Sequence, residues 1–183
     1  MPDFVRRIPD GDDRERSVCV TCGHIVYDNP KVVVGSVVVA DGAVLMCRGA
    51  IDPRRGFWTL PAGYLEHGET LEEGAAREAW EEARAEIAID GILGVFSIGQ
   101  VQVIFRARFA GGPQFSAGPE SLEVALFQAP AILYDAIAFP SVAWALEAWR
   151  KVGPAPLGAP AGNPPDDKRG NERLTPSASR SSL

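Results

Sequence analysis

Gly63, Glu69, Arg77, Glu78, Glu81 and Glu82 are spaced so that a loop running into a helix can gather them into one cluster of carboxylates suited to divalent metal ions. At 100° per residue, Glu78, Glu81 and Glu82 span an arc of about 100° on a helix, and Ala75, Ala76, Ala79 and Ala83 crowd the arc beside it. Small side chains let such a helix lie close to a sheet while its carboxylates project along one edge. Like charges at these spacings repel by roughly 0.2–0.5 kcal/mol per pair, and a bound cation compensates them. A solvated acidic face paired with Arg77 and Arg84 is the alternative for an acidic helix in isolation. The preceding loop argues against it: Gly63 lets a backbone carbonyl approach an ion, Gly68 permits a second tight turn, and Glu69 can reach Arg77.

Hard oxygen ligands select Mg²⁺ or Mn²⁺ and leave coordination positions for water and phosphate oxygens. Ions held this way lower the pKa of bound water and neutralise charge on a leaving oxygen. Hydrolysis of a phosphoanhydride is the reaction such a site suits, because it needs positioning and electrostatics more than a covalent nucleophile.

The elements that must position these acids are legible in turn. Val32–Ala40 is β-branched almost throughout, Asp41-Gly42 is a hairpin signal, and Ala43–Cys47 pairs back as a second strand. Phe57–Leu60 makes a short strand, 61–68 a loop, and 70–84 a helix whose Thr70 and Glu73 fit a capping box. Strands are expected over 87–95, 101–110 and 123–129. A last amphipathic helix spans 141–151, capped by Ser141, with Val142, Ala145, Leu146 and Trp149 inward. The order predicts an α/β fold: a mixed sheet with helices on its faces. Residues 1–30 are charged and turn-rich and read as a small irregular module, partly zinc-ribbon-like in its Cys19–Cys22 spacing, before a main domain at 31–152. From Gly153 to 183, Pro, Gly and Ser dominate, and burial cannot offset the entropy of ordering, so this stretch is expected to be a disordered tail.

The chain as a whole sets limits. Its 183 residues suit one domain with short appendages, and a net charge of −6 disfavours non-specific nucleic-acid binding. Neither a secretory signal nor an apolar run of roughly 20 residues is present, so no membrane partner is expected and the protein reads as cytoplasmic. Three cysteines, Cys19 and Cys22 close together and Cys47 in a strand, suit metal binding or burial better than disulfides.

The stretch GYLEHGETLEEGAAREAWEEARA, Gly63–Ala85, resembles the Nudix box, G-x5-E-x7-R-E-U-x-E-E-x-G-U, with U bulky and apolar. The resemblance implies the Nudix α/β/α sandwich and metal-dependent cleavage of a nucleoside diphosphate linked to a further group. It also implies roles: Glu78, Glu81 and Glu82 bind the metals, the Gly63 carbonyl helps, and Glu69 and Arg77 hold the loop against the helix. Arg84 departs from the pattern where Gly is usual, and Ala79 and Ala85 are smaller than expected; a non-Gly residue in a left-handed turn costs about 1 kcal/mol. The segments RRIPDGDDRER, YDNPKVVVG, FWTLPAGYLEHGE, IGQVQVIFRA and GPESLE look like a zinc-ribbon-bearing branch, which implies FAD, ADP-ribose or NADH-like substrates.

Other residues carry open alternatives. Cys19-Val-Thr-Cys22 has zinc-knuckle spacing, yet tetrahedral zinc needs four ligands; the second pair is missing, and His24 is a candidate third. Glu120 and Glu123 lie on a loop that the resemblance puts over the site. One of them, Glu120 before Glu123, is a further ligand or the general base, or both are solvated loop acids. Arg48, Arg54 and Arg55 could hold a diphosphate or serve as surface ions, Phe57, Trp58 and Tyr64 could stack on a base, and Gln100 and Phe105 could select the substrate. His67 reads as an exposed loop residue. The reading is a Mg²⁺-dependent pyrophosphatase for a dinucleotide-like small molecule. The alternatives are a nucleoside triphosphate pyrophosphatase and a non-catalytic nucleotide sensor, and a homodimer is compatible with either.

Overall fold

The computed structural model describes residues 3–165, and the chain divides after Pro30 into two compact units. In the first, β1 (Phe4–Arg7), β2 (Arg16–Cys19) and β3 (Ile25–Val26) form an antiparallel sheet in that order. The composition predicts an irregular module here. The difference arises because strands of two to four residues, four of their ten residues charged or polar, show no alternation to read. A 2.9 Å ion pair joins Arg16 to Asp12, and the Arg16 guanidinium lies 5.2 Å from the centre of the Tyr27 ring.

The second unit is built on a seven-stranded mixed sheet. Its strands are β4 (Val32–Ala40), β5 (Ala43–Gly49), β6 (Trp58–Thr59), β7 (Ala62–Tyr64), β8 (Ile87–Ser97), β9 (Val101–Phe109) and β10 (Ser121–Gln128). The spine runs β10-β5-β4-β9-β8, with β4 and β9 parallel and every other pair antiparallel. Asp41 and Gly42 turn the β4–β5 hairpin at φ 47° and 75°, as a two-residue turn of the primed type requires. Those two strands pair only beside the turn, through Val39 with Val44 and Ala40 with Ala43. Beyond it they diverge, and β6 pairs with β5 while β7 pairs with β4. The sequence reads 61–68 as loop; three residues of it become β7, whose pairing with Val33–Gly35 fixes Gly63 at the mouth of the cleft.

Helix α1 (Leu71–Ala83) covers one face and α2 (Pro140–Val152) the other, which makes the α/β/α sandwich. Alternation along the strands serves both sides. Val34, Val38, Leu45, Cys47, Phe105 and Ala107 face α1, whereas Val37, Val44, Met46 and Ile104 join Val142, Ala145, Leu146 and Trp149 of α2. Burial pushes the Cys47 thiol up, in keeping with a core residue. Ala75, Ala79 and Ala83 are fully buried, so α1 lies close to the sheet, as the small-residue arc predicts. The capping box forms: the Thr70 hydroxyl accepts from Glu73 N–H, and the Glu73 carboxylate accepts from Thr70 N–H.

Two expectations meet a different arrangement. Ser141 is not the cap of α2; Phe139 holds that place in extended backbone, and Pro140 begins the helix where its missing N–H is no loss. Of the stretch expected to be disordered, 153–165 is described, and its later part, 157–163, lies along β8. The Ala161 N–H donates to Leu93 O at 3.0 Å, Val95 N–H donates to Ala161 O at 2.8 Å, and the Asn163 amide exchanges two bonds with the Ser97 backbone. Leu157 and Ala161 pack on the α2-side core. The remainder, 166–183, lies outside the described residues.

Arg84 ends α1 in the left-handed region, at φ 50° and ψ 30°. Its N–H reaches the Ala79 and Trp80 carbonyls, and Ala85 N–H reaches Ala79 O, so a glycine-type C-cap is made with an arginine. Arg84→Gly should therefore raise stability by about 1 kcal/mol, read as a higher denaturant midpoint at constant slope. An unchanged or lower midpoint would contradict this account of the turn.

Candidate active site

One guanidinium organises the acids. Arg77 uses all five of its N–H donors: Nε donates to Glu69 Oε2 at 3.0 Å, and Nη2 to Glu69 Oε1 at 2.8 Å and Tyr64 O at 3.0 Å. Its Nη1 donates to Glu78 Oε1 at 2.7 Å and Glu81 Oε2 at 3.0 Å. Glu69 also accepts from Glu66 N–H at 2.7 Å. The fork therefore ties the lead-in loop to α1 from both sides, with the bidentate geometry that only arginine offers a carboxylate. Its hydrogen bonds to Glu69, ahead of those to Glu78 and Glu81, hold Arg77 more firmly protonated, and the same contact pulls the Glu69 carboxyl down to about 2.

Glu78, Glu81, Glu82 and Arg77 line a cavity of about 530 Å³ together with Gly63, Tyr64 and Glu120. Glu82 Oε2 accepts from Ala62 N–H at 3.2 Å, which ties the acid to the first residue of β7. Burial pushes the Glu82 carboxyl up to about 8; the Ala62 N–H opposes this, and the charges of Glu78, Glu120 and Glu81 add to it. Burial also raises Glu78, against the pull of Arg77. A Cβ on Gly63 would overlap both carboxylate oxygens of Glu78, so glycine is what lets this carboxylate lie against the β7 backbone. As the side chains stand, Glu78 and Glu81 turn toward Arg77, and among the described residues no three acidic, histidine or cysteine side chains close on one point.

These features fit a hard divalent ion. Burial and mutual repulsion raise two of the carboxylates, a penalty on their anionic form that a bound cation would offset; all donors are oxygen, and one wall is bare backbone. Glu78, Glu81, Glu82 and the Gly63 carbonyl are the groups that would hold Mg²⁺ or Mn²⁺. The knuckle of the first unit is a different case. Cys19 is buried and Cys22 exposed, and backbone N–H groups of Cys22 and Thr21 lower the Cys19 thiol, but two thiols do not complete a tetrahedral zinc site. His24 is joined to Cys19 only through its carbonyl, which accepts Cys19 N–H at 2.8 Å.

The other candidates separate cleanly. Arg54 and Phe57 line the cavity, with the guanidinium 5.6 Å from the ring centre. Arg48 does not line it: across the β5–β10 ladder it pairs with Glu123 at 2.9 Å, and its guanidinium lies over Trp58. Glu123 is thereby taken from the site, and Glu120 is the acid of that loop that faces it. Gln100 touches the site through Tyr64, donating to its hydroxyl at 2.7 Å. Trp58 packs on the core and on Phe127, 4.7 Å between ring centres, while Phe105 is buried and His67 exposed. Sequence reasoning passes over Ala62, Asp52 and Phe139; the first acts through its backbone, and the other two line the cavity from a turn and a helix cap without a motif.

The NUDIX domain model matches residues 29–145 and the Nudix N-terminal model, a zinc ribbon, matches residues 3–28. The chain belongs to the Nudix hydrolase family. It is similar to a NUDIX hydrolase of known structure from Nitrosomonas europaea, with 40% identity, a TM-score of 0.82, and coverage of 88% of this chain and 94% of that one. It is 42% identical over 83 residues to a MutT-like protein of Streptomyces ambofaciens, 44% of this chain and 52% of that protein. An ADP-ribose pyrophosphatase of Methanocaldococcus jannaschii is 29% identical over 109 residues, 56% of this chain and 64% of that protein. The chain thus spans between half and two thirds of the length of these two relatives. No helix among the described residues is long and apolar enough to cross a membrane.

The Glu69–Arg77 lock has a pH signature. Glu69 titrates lower in the folded chain, about 2 against an ordinary 4.5, so the stability it contributes is complete above 4.5 and is lost as pH falls toward 2. Glu69→Gln should lower stability at neutral pH and flatten the loss between pH 4.5 and 2, followed by denaturant unfolding at several pH values. Parallel curves for the two proteins would refute the lock.

Proposed function

We propose that this protein is a Mg²⁺- or Mn²⁺-dependent pyrophosphatase that cleaves the diphosphate of a nucleoside diphosphate linked to a further group, such as ADP-ribose, FAD or an NADH-like dinucleotide. The observation that carries the reading is the convergence of Glu78, Glu81, Glu82 and Glu120 on one cavity with Arg77 locking its floor. Bound metal supplies charge neutralisation for the phosphate oxygens and a more acidic water. The chain's own residues do the rest. The Gly63 strand and α1 set the acids at fixed spacing, Glu120 on the cavity wall takes the proton from attacking water in this reading, and Arg54 offers a fork to the outer phosphate. Phe57, Tyr64 and Phe139 give the cavity aromatic surface for the nucleoside or its partner group.

The name of the Methanocaldococcus jannaschii relative supports a diphosphate-linked substrate. Retention of every acid in the Nudix box weighs against a sensor without catalysis. The zinc knuckle takes no part in this mechanism.

A panel of FAD, NADH, ADP-ribose, diadenosine polyphosphates and a nucleoside triphosphate, assayed with and without Mg²⁺, tests the reading. Mononucleotide release from a dinucleotide-like member, abolished by chelator, is the expected result, and preference for the triphosphate would move the assignment to that class. Glu82→Gln should lower turnover at least about 100-fold, as loss of a metal-held charge implies. Unchanged turnover in that variant would refute the site.

A further inference from the structure

The loop that presents Glu120 is fastened to α1 by the unfinished end of that helix. The last four carbonyls of an α-helix have no partner within it. Here the Glu82 carbonyl accepts Gly118 N–H at 2.9 Å, and the Ala83 carbonyl accepts Ser116 N–H at 2.9 Å. Two loop amides, two residues apart, thus close the final turn of the helix that carries the acids. Gly118 is singled out by proximity rather than by its φ. A Cβ there would overlap the Glu81 carbonyl oxygen and approach within 2.8 Å of the Glu81 carbonyl carbon and 3.2 Å of that of Glu82. These are backbone atoms of a packed helix, and no rotamer change moves them. Ser121 N–H returns to Gly118 O at 3.1 Å, and the Glu120 carbonyl accepts Ala50 N–H at 2.8 Å, which joins the same segment to the cavity wall around 49–57.

We infer that Gly118 is a positioning residue: its missing side chain seats the 112–120 segment on the C-terminal carbonyls of α1, and this seat holds Glu120 against Glu78, Glu81 and Glu82. The inference rests on the hydrolytic reading of Glu120 given above. A carboxylate carried by a loop keeps a fixed distance from helix-borne partners only if its backbone is tied to the same helix. The two amides supply that tie, and the absence of a Cβ makes room for it.

The test compares Gly118→Ala, Glu120→Gln and the double variant in the full chain. It reads Mg²⁺-dependent turnover on the best substrate of the panel and hydrogen–deuterium exchange of peptides spanning 112–121. Gly118→Ala should deprotect that segment and lower kcat at least roughly tenfold with KM within about threefold, as misplacement of one catalytic group does. Added to Glu120→Gln it should change kcat by less than about twofold, because the two act through one group. Retained protection and turnover in Gly118→Ala, or losses that multiply in the double variant, would overturn the inference. Wild-type turnover in Glu120→Gln brings down the reading of Glu120 and this inference with it, whereas a crippled Glu120→Gln beside an intact Gly118→Ala brings down the inference alone. If Gly118→Ala does not fold, Ser116→Pro removes the donor to Ala83 O and carries the same expectations, and intact turnover there would equally overturn the inference.

Discussion

A single arginine with no spare donor is the constraint on which the catalytic half of this fold depends. The five bonds of Arg77 join the lead-in loop at Glu69, the end of β7 at Tyr64 O, and two acids of α1. Remove the fork and these three elements lose their common polar reference. The acids themselves cannot supply it, because Glu78, Glu81 and Glu82 repel one another and burial raises two of them. The cation on Arg77 and the metal expected beside it thus have different tasks. One sets the geometry of the loop, and the other neutralises what that geometry concentrates.

The sandwich serves this arrangement through close approach. Fully buried alanines bring α1 onto the sheet, the splayed β4–β5 hairpin opens a slot for β7, and the slot carries a glycine at the point where Glu78 lies against backbone. The alanines and the glycine are subtractions of side-chain volume, and the splayed hairpin is a gap in backbone pairing. Together they place bare carbonyls and carboxylates within one cavity, which is what a hard cation and a diphosphate demand.

Much of this is legible in the sequence because it rests on local chemistry. The Asp41-Gly42 turn, the Thr70–Glu73 capping box and the helical arc of acids beside alanines each have a short-range cause, and the structure shows each of them. What escapes is decided by distant partners. Val5 and Val18 pair across a charged loop, Leu157, Ala161 and Asn163 anchor a Pro- and Gly-rich stretch to β8, and Arg48 meets Glu123 only through the β5–β10 register. Composition could not reveal these anchors of 153–165, to which Arg106 adds bonds to the Gly153 and Ala155 carbonyls, nor could motif spacing tell Glu120 from Glu123. Gly118 opens the GPESLE segment, but nothing in that segment shows its contact with a helix end some 36 residues earlier.

The most direct test of the central claim is anomalous scattering from crystals grown with Mn²⁺. The account predicts a peak in the cavity bonded to oxygens of at least two of Glu78, Glu81 and Glu82, with Arg77 still paired to Glu69. A cavity without a peak at millimolar Mn²⁺, or an ion bound elsewhere while these acids stay turned to Arg77, would contradict it.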